Sequence, residues 1–86
     1  MYRVEVSPLA EKFLSRLSKS QKNMCDRIRA VIDSLSESPY KGKKLVGELS
    51  DFRSLRVGDY RVLYAVLEKR ILIQVVKIDH RRDVYR

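Results

Sequence analysis

The apolar residues of this chain change their period at Pro39. Before it they recur every three or four positions, as on a helix face; from residue 54 onward they alternate or run together, as in strands. One element cannot carry both patterns, so helices must precede a sheet. Leu9, Ala10, Phe13, Leu14 and Leu17 form the first helical stripe, with Lys12, Arg16 and Lys19 pointing elsewhere. Ser7-Pro8 supplies an N-cap followed by a proline at the first helical position, where its missing N–H costs nothing. Ser18-Lys19-Ser20 interrupts the pattern, and Ser20 is expected to cap a second helix with the stripe Met24, Cys25, Ile28, Val31, Ile32 and Leu35. Arg27 and Arg29 lie off its centre, and Pro39 ends the helical half because it cannot continue the hydrogen-bond ladder. The two helices read as a hairpin.

Strand signals surround this hairpin. Tyr2-Arg3-Val4-Glu5-Val6 alternates and predicts a short first strand. Ser54-Leu55-Arg56-Val57 leads into a Gly58-Asp59 turn, residues 60–67 form a β-prone run, Glu68-Lys69-Arg70 turns the chain, and residues 71–78 return. Connections this short favour antiparallel pairing. The expected fold is α+β: an antiparallel β-sheet with the two-helix hairpin packed on one face, in the order β-α-α-β-β-β. Phe13, Leu17, Met24, Ile28, Ile32 and Leu35 should turn inward. The 86 residues are too few for two independent cores, so one domain is expected over 1–86.

Charge narrows the function. Nineteen Lys/Arg against eleven Asp/Glu give a formal +8, which favours a polyanion or an acidic protein as partner. Cys25 is the sole cysteine, so no intrachain disulfide or thiol–metal cluster can form, and its place on a helical stripe predicts a buried thiol. One histidine without converging carboxylates builds no common metal centre, and three glycines without a GxxxxGK pattern make no phosphate loop. Neither metal nor cofactor is expected. The opening MYRVEV is not a signal peptide, and no apolar run approaches the ~20 residues of a membrane span, so a cytoplasmic chain without membrane contact is expected.

The basic residues fall in three places. Lys41, Lys43 and Lys44 surround Gly42 in what reads as a mobile positive loop. Arg53, Arg56 and Arg61 flank the first turn of the meander, and Arg56 should face Arg61 if residues 57–60 form the reversal. Antiparallel pairing of 60–67 with 71–78 returns Asp79-His80-Arg81-Arg82 to the end of the sheet where Arg61 lies. Arginine forks converging there suit phosphate, which they bind through paired charge-assisted hydrogen bonds. Lys41, Lys43, Lys44, Arg53, Arg56 and Arg82 are the candidate residues for contacting the phosphates of a polyanion.

The opening YRVEVSPLAEKFLSRL, the core ESPYKGKKLVGELSDFRSLRVGDYRVLYAV and the ending VVKIDHRRDVYR resemble the RelE/ParE superfamily of toxins from bacterial and archaeal toxin–antitoxin systems, on its RelE-like branch. The resemblance covers nearly the whole chain; LRVGDYRVLY followed at this distance by HRRDVY is its most specific part. It implies a toxin neutralised by a cognate antitoxin in a hetero-oligomer. It also implies metal-independent cleavage of messenger RNA in the ribosomal A site, by attack of a ribose 2′-oxygen on the adjacent phosphate. By the same resemblance Arg61 stabilises the phosphate, Arg81 serves the leaving group and Tyr85 positions or stacks on the substrate. The chain departs from the family pattern where two strand lysines would stand: it carries Phe52 and Ser54. Lys44, Arg53 and Arg56 then remain to supply charge, and His80, as the one imidazole, is the side-chain type best suited to proton transfer. Two alternatives use the same fold: a ParE-like toxin acting on DNA gyrase, and a nucleic-acid-binding homologue without catalysis.

Overall fold

The computed structural model describes residues 1–47 and 51–80. Its elements are β1 (Arg3–Val6), α1 (Pro8–Ser20), α2 (Lys22–Ser34), β2 (Lys43–Lys44), β3 (Phe52–Val57), β4 (Tyr60–Leu67) and β5 (Leu72–His80), with a 3-10 turn at Glu68–Arg70 before β5. Among the described residues the strands form one sheet in the order β1-β5-β4-β3-β2. β3, β4 and β5 are antiparallel neighbours, as expected; β2 adds to β3 antiparallel, and β1 joins the other edge parallel to β5. A parallel neighbour needs a long connection. Everything between β1 and β5 supplies it here, and no local pattern in β1 announces its direction.

The helices cover one face. Ala10, Leu14 and Leu17 of α1 and Cys25, Ile28 and Ile32 of α2 form one buried cluster with Leu35, Val57, Tyr60, Val62, Tyr64, Ile73, Val75 and Ile78, and Phe13 and Met24 pack against it. Each fully buried side chain of Leu, Ile or Val size contributes about 1.5–3 kcal/mol relative to exposure. Cys25 lies inside this core, its thiol donating to the Leu14 carbonyl at 3.3 Å. Leu9 departs from the expected stripe: it is 59% exposed, because the buried face of α1 centres on Ala10, Leu14 and Leu17.

A local signal sets the start of α1 but not that of α2. The Ser7 hydroxyl oxygen accepts from the Ala10 N–H at 3.1 Å, the cap that Ser7-Pro8 predicts. Ser20, in contrast, does not cap α2. It is the last residue of α1, and Gln21 alone joins the helices with an extended φ of −141°. Gln21 makes no side-chain cap bond; its amide instead donates to the Tyr60 hydroxyl at 3.2 Å, tying the junction to the sheet.

The lysine segment also differs from a mobile loop. Lys43–Lys44 pairs with β3 as a two-residue strand, leaving Lys41, Lys43 and Lys44 exposed around a buried Gly42. The Tyr64 hydroxyl holds this turn from beneath, donating to the Pro39 carbonyl at 2.9 Å and accepting from the Gly42 N–H at 2.8 Å. A Cβ on residue 42 would lie 2.8 Å from that hydroxyl, so only glycine permits the approach.

Candidate nucleic-acid interface

The β3–β4 hairpin sets the first row of the site. Gly58, with φ of +60°, turns the chain, and the register then pairs Arg56 with Arg61. On the other side of β4, Arg61 pairs with Asp79 of β5. Directly opposed residues share a sheet face, and adjacent strands lie roughly 4.8 Å apart. Tyr60 and Val62 point into the helix-side core, so Arg56, Arg61 and Asp79 form a row on the second face. That face is not bare: Ala65 and Leu72, which stand outside the helix-side cluster, are buried as well. Arg56 is exposed and Arg61 half-buried, so the latter's aliphatic stem is supported by the sheet.

A β-bulge builds the next row. The β4–β5 register passes from Leu63↔Lys77 to Tyr64↔Val75, leaving Val76 as an extra residue. Side chains alternate along a strand, so without the insertion Val75 and Lys77 would share the core face. The extra residue reverses the parity. Val75 and Ile78 both reach the core, while Lys77 and Asp79 emerge on the second face with Arg61. Ser7 holds both carbonyls of the irregular step: its N–H donates to Val75 O at 2.9 Å and its hydroxyl to Val76 O at 2.6 Å. The resulting row runs Lys43, Ser54, Leu63, Lys77 across four strands. Lys77 thus joins the face that carries Arg61, which reading the sequence misses. Its mark there is the Val75-Val76 doublet, where two successive apolar residues break the alternation.

The two rows together place Lys43, Arg56, Arg61 and Lys77 on one face, with Asp79 opposite Arg61 in the strand register. Asp79 also meets Lys77, Nζ to Oδ1, at 3.5 Å. Such a group of cations on rigid strands can hold phosphate oxygens without a metal. Among the described residues no group of His, Cys, Asp and Glu could hold a metal ion. A cleft of ≈550 Å³ at the β1–β5 edge contains Glu5 and Gln74 in its lining and no cation, so it offers phosphate nothing comparable.

Other expected residues lie elsewhere. Arg53 pairs with Tyr64 and therefore faces the helix side, where its Nη1 donates to the Gly42 carbonyl at 2.8 Å and the Tyr40 carbonyl at 3.4 Å. Its guanidinium lies 4.9 Å from the centre of the Tyr40 ring. That is a brace for the 39–44 turn, set apart from Arg56 and Arg61. Lys44 shares the parity of Arg53, and Lys41 donates to the Ser34 hydroxyl at 3.4 Å. His80 pairs with Tyr60 on the helix-side parity, its ring edge-on to that of Tyr60 at 4.9 Å. Arg81, Arg82 and Tyr85 lie outside the described residues.

Tyrosines report the electrostatics of the brace. Burial pushes the Tyr64 hydroxyl above its ordinary pKa, opposed by the Gly42 N–H bond and the Arg53 charge. Tyr40 is held up chiefly by its hydrogen bond with Tyr2, and then by Glu68.

Comparison with known proteins follows the same outline. The family described as "ParE toxin of type II toxin-antitoxin system, parDE" matches residues 4–85. Toxin RelG of Mycobacterium tuberculosis is 31% identical over 85 residues, covering 92% of this chain and 98% of that protein. The archaeal RelE–RelB complex from Pyrococcus horikoshii contains a chain 32% identical, with a TM-score of 0.75 over 93% of this chain and 94% of that one. The isolated Escherichia coli RelE toxin shares the fold, with a TM-score of 0.79 at 21% identity over 99% of this chain and 92% of that one.

Proposed function

Since the chain belongs to the RelE/ParE superfamily of toxins of type II toxin–antitoxin systems, on its RelE-like branch, we propose that it is an endoribonuclease that cuts messenger RNA on the ribosome. The observation that carries this reading is Arg61, fixed on β4 between Arg56 and Asp79 on the face away from the helices. In-line attack by a ribose 2′-oxygen places growing negative charge on the phosphate and on the departing 5′-oxygen. Arg61 holds the non-bridging oxygens, and fixed charges of this kind act mainly on the transition state. Arg81, just beyond β5, serves the leaving group, and Tyr85 positions the base. His80 is the reserve for proton transfer. The products are a 2′,3′-cyclic phosphate and a 5′-hydroxyl.

The partner that keeps such a toxin silent is a cognate antitoxin. The Pyrococcus horikoshii relative in its RelE–RelB complex supports this partnership. The +8 charge calls for an acidic surface on the antitoxin, with apolar residues to supply affinity at ordinary salt. On this reading the free toxin works in the A site of the ribosome, where RNA phosphates would meet the basic face. No helix among the described residues is long and apolar enough to cross a membrane.

A second reading has its own observation, the match to the ParE toxin family over residues 4–85. A ParE-like toxin would use this fold as a protein-binding module against DNA gyrase. Programmed ribosomes and gyrase supercoiling, assayed side by side with the same preparation, separate the two. The proposal expects cut messenger with 5′-hydroxyl ends and unimpaired supercoiling. Blocked supercoiling with intact messenger would overturn it.

A further inference from the structure

Lys77 stands in the site through a structural device rather than through composition. The bulge at Val76 turns it out of the core, and Ser7 holds the carbonyls that flank the inserted step. Its ammonium then rests 3.5 Å from Asp79, with the two side chains 51% and 24% exposed. An ion pair this open to water is weak and readily exchanged. Asp79 stands opposite Arg61 in the β4–β5 register, so Lys77 is tethered beside the strand position of that arginine.

We propose that Lys77 is a substrate-phosphate ligand, parked on Asp79 in the free protein and released to an RNA phosphodiester when the strand docks. The inference rests on the reading of this face as the RNA site. Between Lys43 and Lys77 the row carries only Ser54 and Leu63, so no charged side chain stands between the two lysines. Lysine suits the task because its ammonium is a point charge on a flexible stem, able to swing from a carboxylate to a phosphate, whereas Arg61 supplies the fixed fork. Asp79 is then a counterweight: it holds Lys77 in place without RNA and opposes the incoming anion.

The counterweight makes the test specific. The full chain is titrated with a fluorescent single-stranded RNA trinucleotide, 2′-O-methylated so that it cannot be cut, over a range of salt concentrations. Lys77→Gln should weaken binding about 5- to 10-fold and lower the salt slope by roughly 0.7, the value for one phosphate contact on a single strand. Asp79→Asn should tighten binding severalfold, and much of that gain should be lost in the Asp79→Asn/Lys77→Gln double variant, leaving only the part due to relieved repulsion between Asp79 and the RNA. Lys77→Arg, which keeps the charge, should retain most of the affinity and carries the test with Lys77→Gln if Asp79→Asn fails to fold. Wild-type affinity and slope in Lys77→Gln, a gain from Asp79→Asn that is undiminished in the double variant, or no binding by the wild type would overturn the inference. The ribosome assay runs in parallel: a wild type that binds with the expected variant pattern but leaves messenger intact removes the nuclease reading and leaves the phosphate ligand standing.

Discussion

Replacing Ser7 by alanine should damage the fold in two places at once. The Ser7 oxygen accepts from the Ala10 N–H at 3.1 Å, closing the start of α1, and its hydroxyl donates to the Val76 carbonyl at 2.6 Å, holding the bulge. Loss of a serine N-cap costs about 1 kcal/mol. Loss of a part-buried hydrogen bond costs about another 1 kcal/mol. The sum of ~2 kcal/mol corresponds to a fall of roughly 8–16 °C in Tm for a domain of this size. Calorimetry or a urea titration followed by circular dichroism measures it. Ser7→Asp divides the effect: its carboxylate can still accept from Ala10 N–H but offers no donor to Val76 O, so about half of the loss should return. Ser7→Thr keeps both groups and should sit near the wild type. A loss in Ser7→Ala below ~0.5 kcal/mol, the range of ordinary surface changes, would refute the argument that one hydroxyl serves both elements.

Two other predictions separate support from site. Tyr64→Phe removes the hydroxyl beneath the 39–44 turn and leaves the buried Gly42 N–H without its acceptor, which should cost about 1–3 kcal/mol at neutral pH in a urea titration. Because burial raises the Tyr64 pKa in the folded state, its contribution is fully present below the unfolded value of about 10 and is lost as pH climbs through the folded value; the gap between wild type and Tyr64→Phe should narrow above pH ~10. Arg53→Gln should lower thermal stability, since Arg53 braces Gly42 and Tyr40, with little change in the salt slope of RNA binding. Arg56→Gln should do the reverse, leaving Tm near the wild type and lowering the slope by roughly 0.7; equal behaviour of the two variants would contradict their placement on opposite faces.

Much of this architecture is legible in the residues because it is local. The shift in apolar period at Pro39 separates the helices from the main hairpin, and the length of the Gly58-Asp59 turn is enough to set Arg56 opposite Arg61. Antiparallel return then brings Asp79 to Arg61. What escapes is fixed by distant contacts. The parallel pairing of β1 depends on an edge made by β5, more than sixty residues later. β2 exists because Tyr64 and Arg53 hold the turn before it, and nothing within Tyr40-Lys41-Gly42-Lys43-Lys44 distinguishes that from a solvated loop. Arg53 and Arg56 look alike in sequence although strand parity sends one to the brace and the other to the site. Lys77 was hidden by the same rule applied without the bulge: counting straight alternation from Val75 assigns it to the core face.

Arg61→Ala, measured by single-turnover cleavage on programmed ribosomes with a chelator present and by a separate ribosome-binding assay, tests the central claim most directly. If Arg61 stabilises charge on the scissile phosphate, the cleavage step should fall by at least ~100-fold, about 2.7 kcal/mol of transition-state stabilisation, while binding weakens much less. Cleavage at the wild-type rate by the bound variant would contradict the account, leaving Arg61 and its neighbours as a docking surface only.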